Sequence, residues 1–271
     1  MACARTSTAD AHDQHVHAVN KPQAESPPLY SGYADWKNWH GEFAPSDREA
    51  RYFAAELADI PLSGKRVLEI GFGNGSFLAW AKALGAEVVG TEIDAAMVER
   101  AIARGFDARP APLEALAAAN ERFDLIVAFD VFEHWDKPTL VASLMQFVAL
   151  LRTGGHVLAR FPNGQSPFGR VHQYGDLTHQ TVLSASSIAQ LANMTGFAVV
   201  RVGNACAVPV RRDFFSVLKH HWRRLRRARI ERWLGRLYGV GQLALDPNLV
   251  VLLSKPDRGV DKSINPEMDR T

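Results

Sequence analysis

Between residues 66 and 105 the hydrophobic period switches repeatedly, and no other stretch constrains the fold as strongly. Arg66–Ile70 reads as a short buried strand running into a turn with glycine at 71, 73 and 75. A helix follows over Phe77–Leu84, stopped by Gly85. Glu87–Glu92 is strand again, Ala95–Arg104 helix again, and Gly105 the second stop. Glycine just past a helix takes the left-handed conformation that ends it without steric cost. Strands alternating with helices of about a dozen residues pair in parallel through crossover connections.

The alternation continues downstream. A short strand is expected near Phe106–Arg109, a helix within Leu113–Asn120, the most apolar strand at Phe123–Phe129 and a helix at Pro138–Leu151. Strand His156–Phe161, helix Ser184–Thr195, strand Phe197–Val202 and a last strand Leu249–Ser254 complete the set. The expected fold is α/β, a doubly wound, mostly parallel seven-stranded sheet with helices on both faces. It divides as a polar tail over 1–28, expected to be disordered, an aromatic and helical cap over 29–60, a core over 61–207, a helical insertion over 208–241, the last strand within 242–255, and a second polar tail over 256–271. In the cap, Ser46 or Asp47 would start a helix over Asp47–Leu57.

Composition excludes several classes. With 47% hydrophobic and 22% charged residues among 271, the chain is neither disordered throughout nor fibrous. Its longest apolar runs, such as Leu125–Phe129 and Leu249–Leu253, are too short to cross a membrane. The start Met1-Ala-Cys-Ala-Arg5 lacks the apolar run of a secretory signal. Cys3 and Cys206 alone cannot make a disulfide framework. A cytoplasmic protein is expected, with peripheral association at the inner face of the membrane a further option. His12, His15 and His17 could ligate a metal, but nothing near them fixes a geometry, so the tail reading stands and no metal is assigned.

The turn Val67-Leu-Glu-Ile-Gly71-Phe-Gly73-Asn-Gly75-Ser76 brings backbone close to a ligand. A dinucleotide fingerprint wants glycine or alanine where this chain has Ser76. Glu69 would repel a pyrophosphate yet suits a cationic ligand with an amino group. That favours S-adenosylmethionine (SAM) over NAD.

These residues resemble the first motif of the class I SAM-dependent methyltransferases. Val88-Val-Gly-Thr-Glu92-Ile-Asp94 resembles that family's second-strand motif, whose terminal acid bonds the ribose hydroxyls. Glu92 matches it, and two acceptor oxygens on one carboxylate suit a vicinal diol. Ile93 is taken with it as a cofactor contact, and Asp94 as the cap of the next helix. Phe123-Asp-Leu-Ile-Val-Ala-Phe-Asp130-Val-Phe-Glu133-His134 resembles the fourth-strand motif of the subgroup that includes quinone-biosynthesis and sugar O-methyltransferases. Leu151-Arg-Thr-Gly-Gly155 resembles the turn before the fifth strand. The resemblance spans about residues 60–205. It implies a Rossmann-like fold and a SAM site over Glu69, Gly71, Gly73, Gly75, Glu92, Ile93 and Asp130, the last near the sulfonium end. It departs after the third strand, where the family often has an acid contacting adenine and this chain reads Pro110-Ala-Pro112-Leu-Glu114.

Methyl transfer to a hydroxyl needs in-line alignment and a base. The chain lacks the Asn/Asp-Pro-Pro-Tyr of base amino-methylation and a nucleophilic cysteine after the fourth strand, which disfavours nucleic-acid chemistry. Histidine titrates near neutrality, so His134 and His179 are the candidate bases. Asp176 is either the orienter of His179 or a turn residue, and His134 either a base or a packing residue. The stretch Phe161-Pro-Asn163, Asp176-x-x-His179, Leu183-Ser184 and Gly196-Phe197 resembles methyltransferases of bacterial surface-polysaccharide and lipid-linked glycan biosynthesis, implying a sugar, glycan or glycolipid hydroxyl as acceptor. The alternatives are a quinone-like or other small molecule, and a SAM-fold adaptor without turnover. An intact Glu69/Glu92 pair argues against the adaptor. Tyr33, Trp36 and Trp39 either stack on the acceptor or pack on the sheet edge.

Residues 211–236 hold ten Arg/Lys against Asp213 and Glu231. The segment therefore carries +8 in a chain of +2, and the remainder −6. The spacings 214, 218, 222, 225 and 230, 233, 234, 237 suit an amphipathic helix. Three readings stay open for it: docking on an anionic membrane, packing on the domain or a second copy, and nucleic-acid binding.

Overall fold

The computed structural model describes residues 30, 32–39, 42–110, 113–209, 213–241 and 243–256. The expected tails, and with them the histidines at 12, 15 and 17, lie outside the described residues, Pro256 apart. Seven strands form one sheet, β1 (Arg66–Ile70), β2 (Glu87–Glu92), β3 (Asp107–Pro110), β4 (Phe123–Phe129), β5 (Leu151–Pro162), β6 (Ala198–Asn204) and β7 (Asn248–Ser254). Their order is β3-β2-β1-β4-β5-β7-β6, parallel except that β7 runs antiparallel to both neighbours. The order reverses between β1 and β4, and open α/β sheets bind ligands in the crevice at that switch point.

The helices in chain order are α1 (Tyr33–Trp36), α2 (Asp47–Glu56), α3 (Ser76–Ala83), α4 (Ala95–Ala103), α5 (Glu114–Ala118), α6 (Lys137–Leu150), α7 (Arg170–Tyr174), α8 (Ala185–Thr195) and α9 (Phe214–Tyr238). Ser46 caps α2 through a reciprocal box with Glu49, and Asp94 caps α4 by accepting from the N–H groups of Ala96 and Met97. Gly196, at φ 82°, ends α8 in the left-handed conformation. Two apolar layers sandwich the sheet. Phe132, Phe147, Phe161 and Leu253 lie in the layer under α6 and α8. Phe53, Phe77, Val127 and Leu158 lie in the layer under α2, α3 and α4. Phe53 stacks on Phe129 with centroids 5.5 Å apart, which ties α2 to the end of β4.

The insertion is one continuous 25-residue helix, α9, capped by Asp213 at its start. It hangs from the β6–β7 hairpin, at the same end of the strands as the glycine turn after β1. The body reaches it through the Arg227–Asp246 ion pair and through Glu231, which accepts from Asn204 Nδ2 at 2.8 Å and from the Leu245 N–H at 2.9 Å. Gly235 is its one buried position. At about 100° per residue, the apolar side chains of its two halves are offset by about 100° around the axis. The helix therefore has two short apolar stripes instead of the single one the spacing suggests. Both face away from the body, with Phe215 78% and Trp222 60% exposed.

Candidate active site

The glycine turn is held in place by β2. Gly71 and Phe72 donate to the Thr91 carbonyl at 2.8 and 3.2 Å, and Gly73 donates to Glu92 Oε2 at 2.8 Å. Glycine is required here twice over. Gly71, Gly73 and Gly75 sit at φ 64°, 50° and 73°. A Cβ on Gly71 would stand 2.8 Å from Val131, and one on Gly75 2.1 Å from the Phe43 ring. The close approach of Val131 couples the turn to the end of β4.

Glu92 does more than the motif implies. Besides Gly73, its carboxylate accepts from Ile93 N–H at 2.7 Å and Asp94 N–H at 3.3 Å. One side chain thus fixes the glycine turn against the β2–α4 corner, with lone pairs left over for a diol. Burial pushes its carboxyl up, and the three N–H donors oppose this. Ile93 beside it is 60% exposed, an apolar surface at the mouth of the crevice. Glu69 is buried, and its Oε2 has no hydrogen-bond partner among the described residues. Burial, and then the nearby Glu92, raise its carboxyl well above the usual range.

A buried carboxylate oxygen left without a partner two residues before a positive-φ glycine turn is costly unless a ligand satisfies it. SAM carries an amino group and a sulfonium, so the donor set fits it. Residues 111 and 112, in the stretch expected near adenine, lie outside the described residues.

The second half of the site is built after β4. Asp130 adopts φ 57°, a strained conformation for a non-glycine residue. A two-point ion pair with Arg160 Nε (3.0 Å) and Nη2 holds it there, and its N–H donates to the Arg160 carbonyl at 2.8 Å. Next comes a 3₁₀ turn, Phe132–His134. Glu133 is 1% exposed, with neither carboxylate oxygen partnered among the described residues. Burial, then Asp130, push its carboxyl well above the usual range.

His134 and His179 meet edge to face with centroids 4.7 Å apart. His179 Nδ1 lies 3.1 Å from the Gln173 carbonyl, which can only accept, so Nδ1 carries the proton and Nε2 a free lone pair. His134 Nδ1 lies 2.9 Å from Thr178 Oγ1, whose own proton goes to Asp176 Oδ1 at 2.5 Å. His134 is therefore also protonated on Nδ1. Burial, then the neighbouring His179, lower the His134 pKa to about 4, and burial lowers that of His179 as well. Both rings are neutral and basic at Nε2 near pH 7.

Asp176 is not the hydrogen-bonded orienter of His179. Its Oδ2 stands 3.6 Å from His179 Nε2, beyond hydrogen-bond length. Its carboxylate is spent on Tyr33 Oη (2.8 Å), Lys37 Nζ (3.1 Å) and the Thr178 N–H (3.0 Å) and hydroxyl. Burial works against its ionisation, but these bonds outweigh it and hold the carboxyl well below the usual range. The group that orients His179 is the Gln173 carbonyl on α7. Asp176 instead ties the cap to the loop after β5. Tyr33 packs edge-on against His134 at 6.1 Å and against Trp39 at 5.6 Å, while Trp39 lies against Gly73. The aromatic cap thus spans both halves of the site.

The sequence singles out neither Lys37, Thr178, Gln173 nor Arg160. Lys37 alone left a signal, a cation inside Trp36-Lys-Asn-Trp39. Glu133, His134 and His179 also place one potential ligand atom each within 4.8 Å of one another, a donor set able to hold a divalent ion, although the sequence assigns no metal.

Comparison with known proteins decides the family, since residues 41–202 match the methyltransferase domain family. This chain belongs to it. Its fold is that of solved SAM-dependent methyltransferases. A ubiquinone biosynthesis O-methyltransferase of Cereibacter sphaeroides (strain KD131 / KCTC 12085) is 36% identical over 143 residues, covering 45% of this chain and 56% of that protein. One from Mesorhizobium japonicum is 34% identical over 145 residues with the same coverage. The chain spans little over half the length of these curated relatives. Among solved structures, a SAM-dependent methyltransferase from Archaeoglobus fulgidus superposes with TM-score 0.57 at 16% identity, covering 82% of this chain and 99% of that one. The plantazolicin methyltransferase BamL, solved with S-adenosylhomocysteine (SAH), gives 0.54 at 16% identity, covering 85% and 94%. These two likenesses show the fold. Among the described residues, no helix is long and apolar enough to cross a membrane.

Proposed function

We propose that this chain O-methylates a small-molecule hydroxyl. The carrying observation is the pair of Nε2 lone pairs at His134 and His179, desolvated at the carboxyl end of β4 beside a two-strand cofactor cradle. Glu69 would take the amino group of SAM, the glycine turn would let the backbone approach it, and Glu92 would accept from the ribose hydroxyls. Bound SAM supplies an electrophilic methyl group. His179, oriented by the Gln173 carbonyl, takes the proton of the acceptor hydroxyl, and His134 is the second candidate for that role. Asp176 Oδ2 at 3.6 Å and Glu133 Oε1 at 3.9 Å from His179 Nε2 are close enough to favour the imidazolium that forms when the proton is taken.

The acceptor class best supported is a quinone-like phenol. The relatives named as ubiquinone biosynthesis O-methyltransferases favour it, and so does the wall of Tyr33 and Trp39 beside His134, which suits a planar ring. A sugar, glycan or glycolipid hydroxyl is the second reading, favoured by the open cleft that Arg160 lines together with Arg223, Arg224 and Arg226. The outward face of α9 sets Trp222 and Trp233 among Arg229, Arg232 and Arg236, which suits an anionic lipid surface and would bring the enzyme to a membrane-borne acceptor. Anionic vesicles should lose the protein when Trp222 and Trp233 become Ala, and retained binding removes that element.

Calorimetric titration with SAH tests the core of the proposal. Micromolar binding, followed by methyl transfer from SAM to catechols but not to O-methylated catechols, is expected. A folded chain that ignores SAH would leave the adaptor reading.

A further inference from the structure

The first half of α9 has two opposite sides. Phe214, Phe215, Leu218, Trp222 and Leu225 are exposed and face outward. Lys219, His220, Arg223 and Arg224 instead line an open cleft between α9 and the body. At about 100° per residue the two sets lie about 160° apart around the axis. The far wall of the cleft is Arg48 and Tyr52 of α2, and Arg160 and the residues entering β7 also line it. Its volume of about 960 Å³ is that of a large small-molecule site.

The charges in this cleft do not cancel. Arg160 is spent on Asp130 and Arg227 on Asp246. Arg48, Lys219, Arg223, Arg224 and Arg226 have no carboxylate partner among the described residues. The one further acid in the lining, Glu49, is committed to the capping box at Ser46. Burial, then Arg224 and His221, hold the His220 imidazole below its usual pKa, as an uncompensated positive field does. Like charges converging in a concavity repel one another, and that cost falls only when an anion enters. Four of the five are arginines, whose planar forks match phosphate oxygens two at a time. A single carboxylate would neutralise too little of this charge, whereas a phosphate or diphosphate matches it. The cleft also adjoins the reacting centre through Arg160, because Arg160 pins Asp130 and Asp130 opens the turn that carries Glu133 and His134.

We propose that this cleft binds a phosphate or diphosphate group, which on a methyl acceptor belongs to the second reading above, a sugar joined through diphosphate to a nucleoside or lipid carrier. That the ligand is the acceptor rests on the methyl-transfer reading; the anion site does not. The handle is held beside Arg160 while the hydroxyl-bearing part reaches the histidines.

The test is calorimetric titration of the full chain with inorganic pyrophosphate, alongside SAH. Pyrophosphate should bind, and the variant R223E/R224E/R226E should weaken it by at least roughly tenfold. R229E/R232E/R236E makes the same charge change on the same helix outside the cleft, and should alter the affinity less than about twofold. Unchanged SAH binding in both variants reports an intact fold. No pyrophosphate binding by a chain that binds SAH would overturn the proposal, and so would equal losses in the two variants. Pyrophosphate binding without SAH binding would keep the anion site and sink the methyl-transfer reading instead. Uridine diphosphate binding more tightly than pyrophosphate supports a nucleotide carrier. Binding to vesicles containing a polyprenyl diphosphate, but not to phosphatidylglycerol vesicles of equal charge, supports a lipid carrier. Equal binding to both vesicle types, with no response to pyrophosphate, would overturn the proposal in favour of a general lipid surface.

Discussion

The two ends of the crevice are held by different means. At the β1–β2 end the scaffold is mostly backbone, with amide donors from Gly73, Ile93 and Asp94 converging on the single carboxylate of Glu92. At the β4 end it is mostly side chain. There Tyr33 and Lys37 come from the cap, His134 from the turn after β4, and Asp176, Thr178 and His179 from the loop after β5. A backbone cradle recognises what every member of a family binds, whereas a side-chain mesh can be rewired one residue at a time. Mutations at the two ends should therefore separate cofactor affinity from turnover.

The largest effect is expected at His179. His179→Gln should lower kcat by roughly 10²–10⁴-fold with SAH affinity unchanged, the range for loss of a general base. A matching fall in SAH binding would erase the division between the ends. In the unaltered enzyme, the acid limb of the rate profile should lie below pH 6.5, because burial disfavours the charged form of both rings and His134 sits at about 4. The same shift makes stability fall as pH drops from 6.5 towards 4, since the unfolded chain takes up the proton first. Thermal melts across that window check the sign.

Next in size is Glu92→Ala, which should weaken SAH roughly 100-fold and also lower Tm, because three backbone donors lose their acceptor. Glu92→Gln, which keeps an acceptor oxygen, should recover more of the Tm than of the affinity. Equal recovery of both would mean that Glu92 is scaffold alone.

Glu69→Gln is expected to cost about tenfold in SAH affinity, as for a charge-assisted hydrogen bond. It should also raise Tm by a few degrees at neutral pH. Glu69 has its folded pKa raised, so the native protein loses stability as pH climbs above the ordinary 4.5, and the variant escapes that loss. A Tm advantage that shrinks with rising pH would contradict this assignment.

The smallest effect is Tyr33→Phe. Removing its bond to Asp176 should cost about 1 kcal/mol and a few-fold in turnover, measurable as a coupling with Asp176→Asn in a double-mutant cycle. Additive losses would show that the cap and the loop act independently.

The same division explains what the sequence disclosed. Strands β1, β2 and β4 and the glycine turn are legible because their signals are local, an apolar run, a stop glycine and an acid at a fixed offset. The mesh is not. Asp176 reads as the natural partner of a histidine three residues on, but it bonds Thr178 and, 143 residues earlier, Tyr33. The carbonyl that orients His179 belongs to Gln173, and a backbone carbonyl has no side-chain signature. The five-residue α7 that carries it is too short to show a period. In α9 the sequence announces a basic helix with an apolar stripe, but only the structure shows that the stripe is split in two and which side faces the body.

The antiparallel β7 carries a consequence for how such an enzyme can diversify. Because β6 and β7 are hairpin neighbours that pair directly, the connection between them is free to take any length. Lengthening it moves no strand and disturbs neither crossover nor cofactor cradle. α9 is in that sense a socket attachment. An insertion there can change in length or charge without altering the paired strands or the glycine turn.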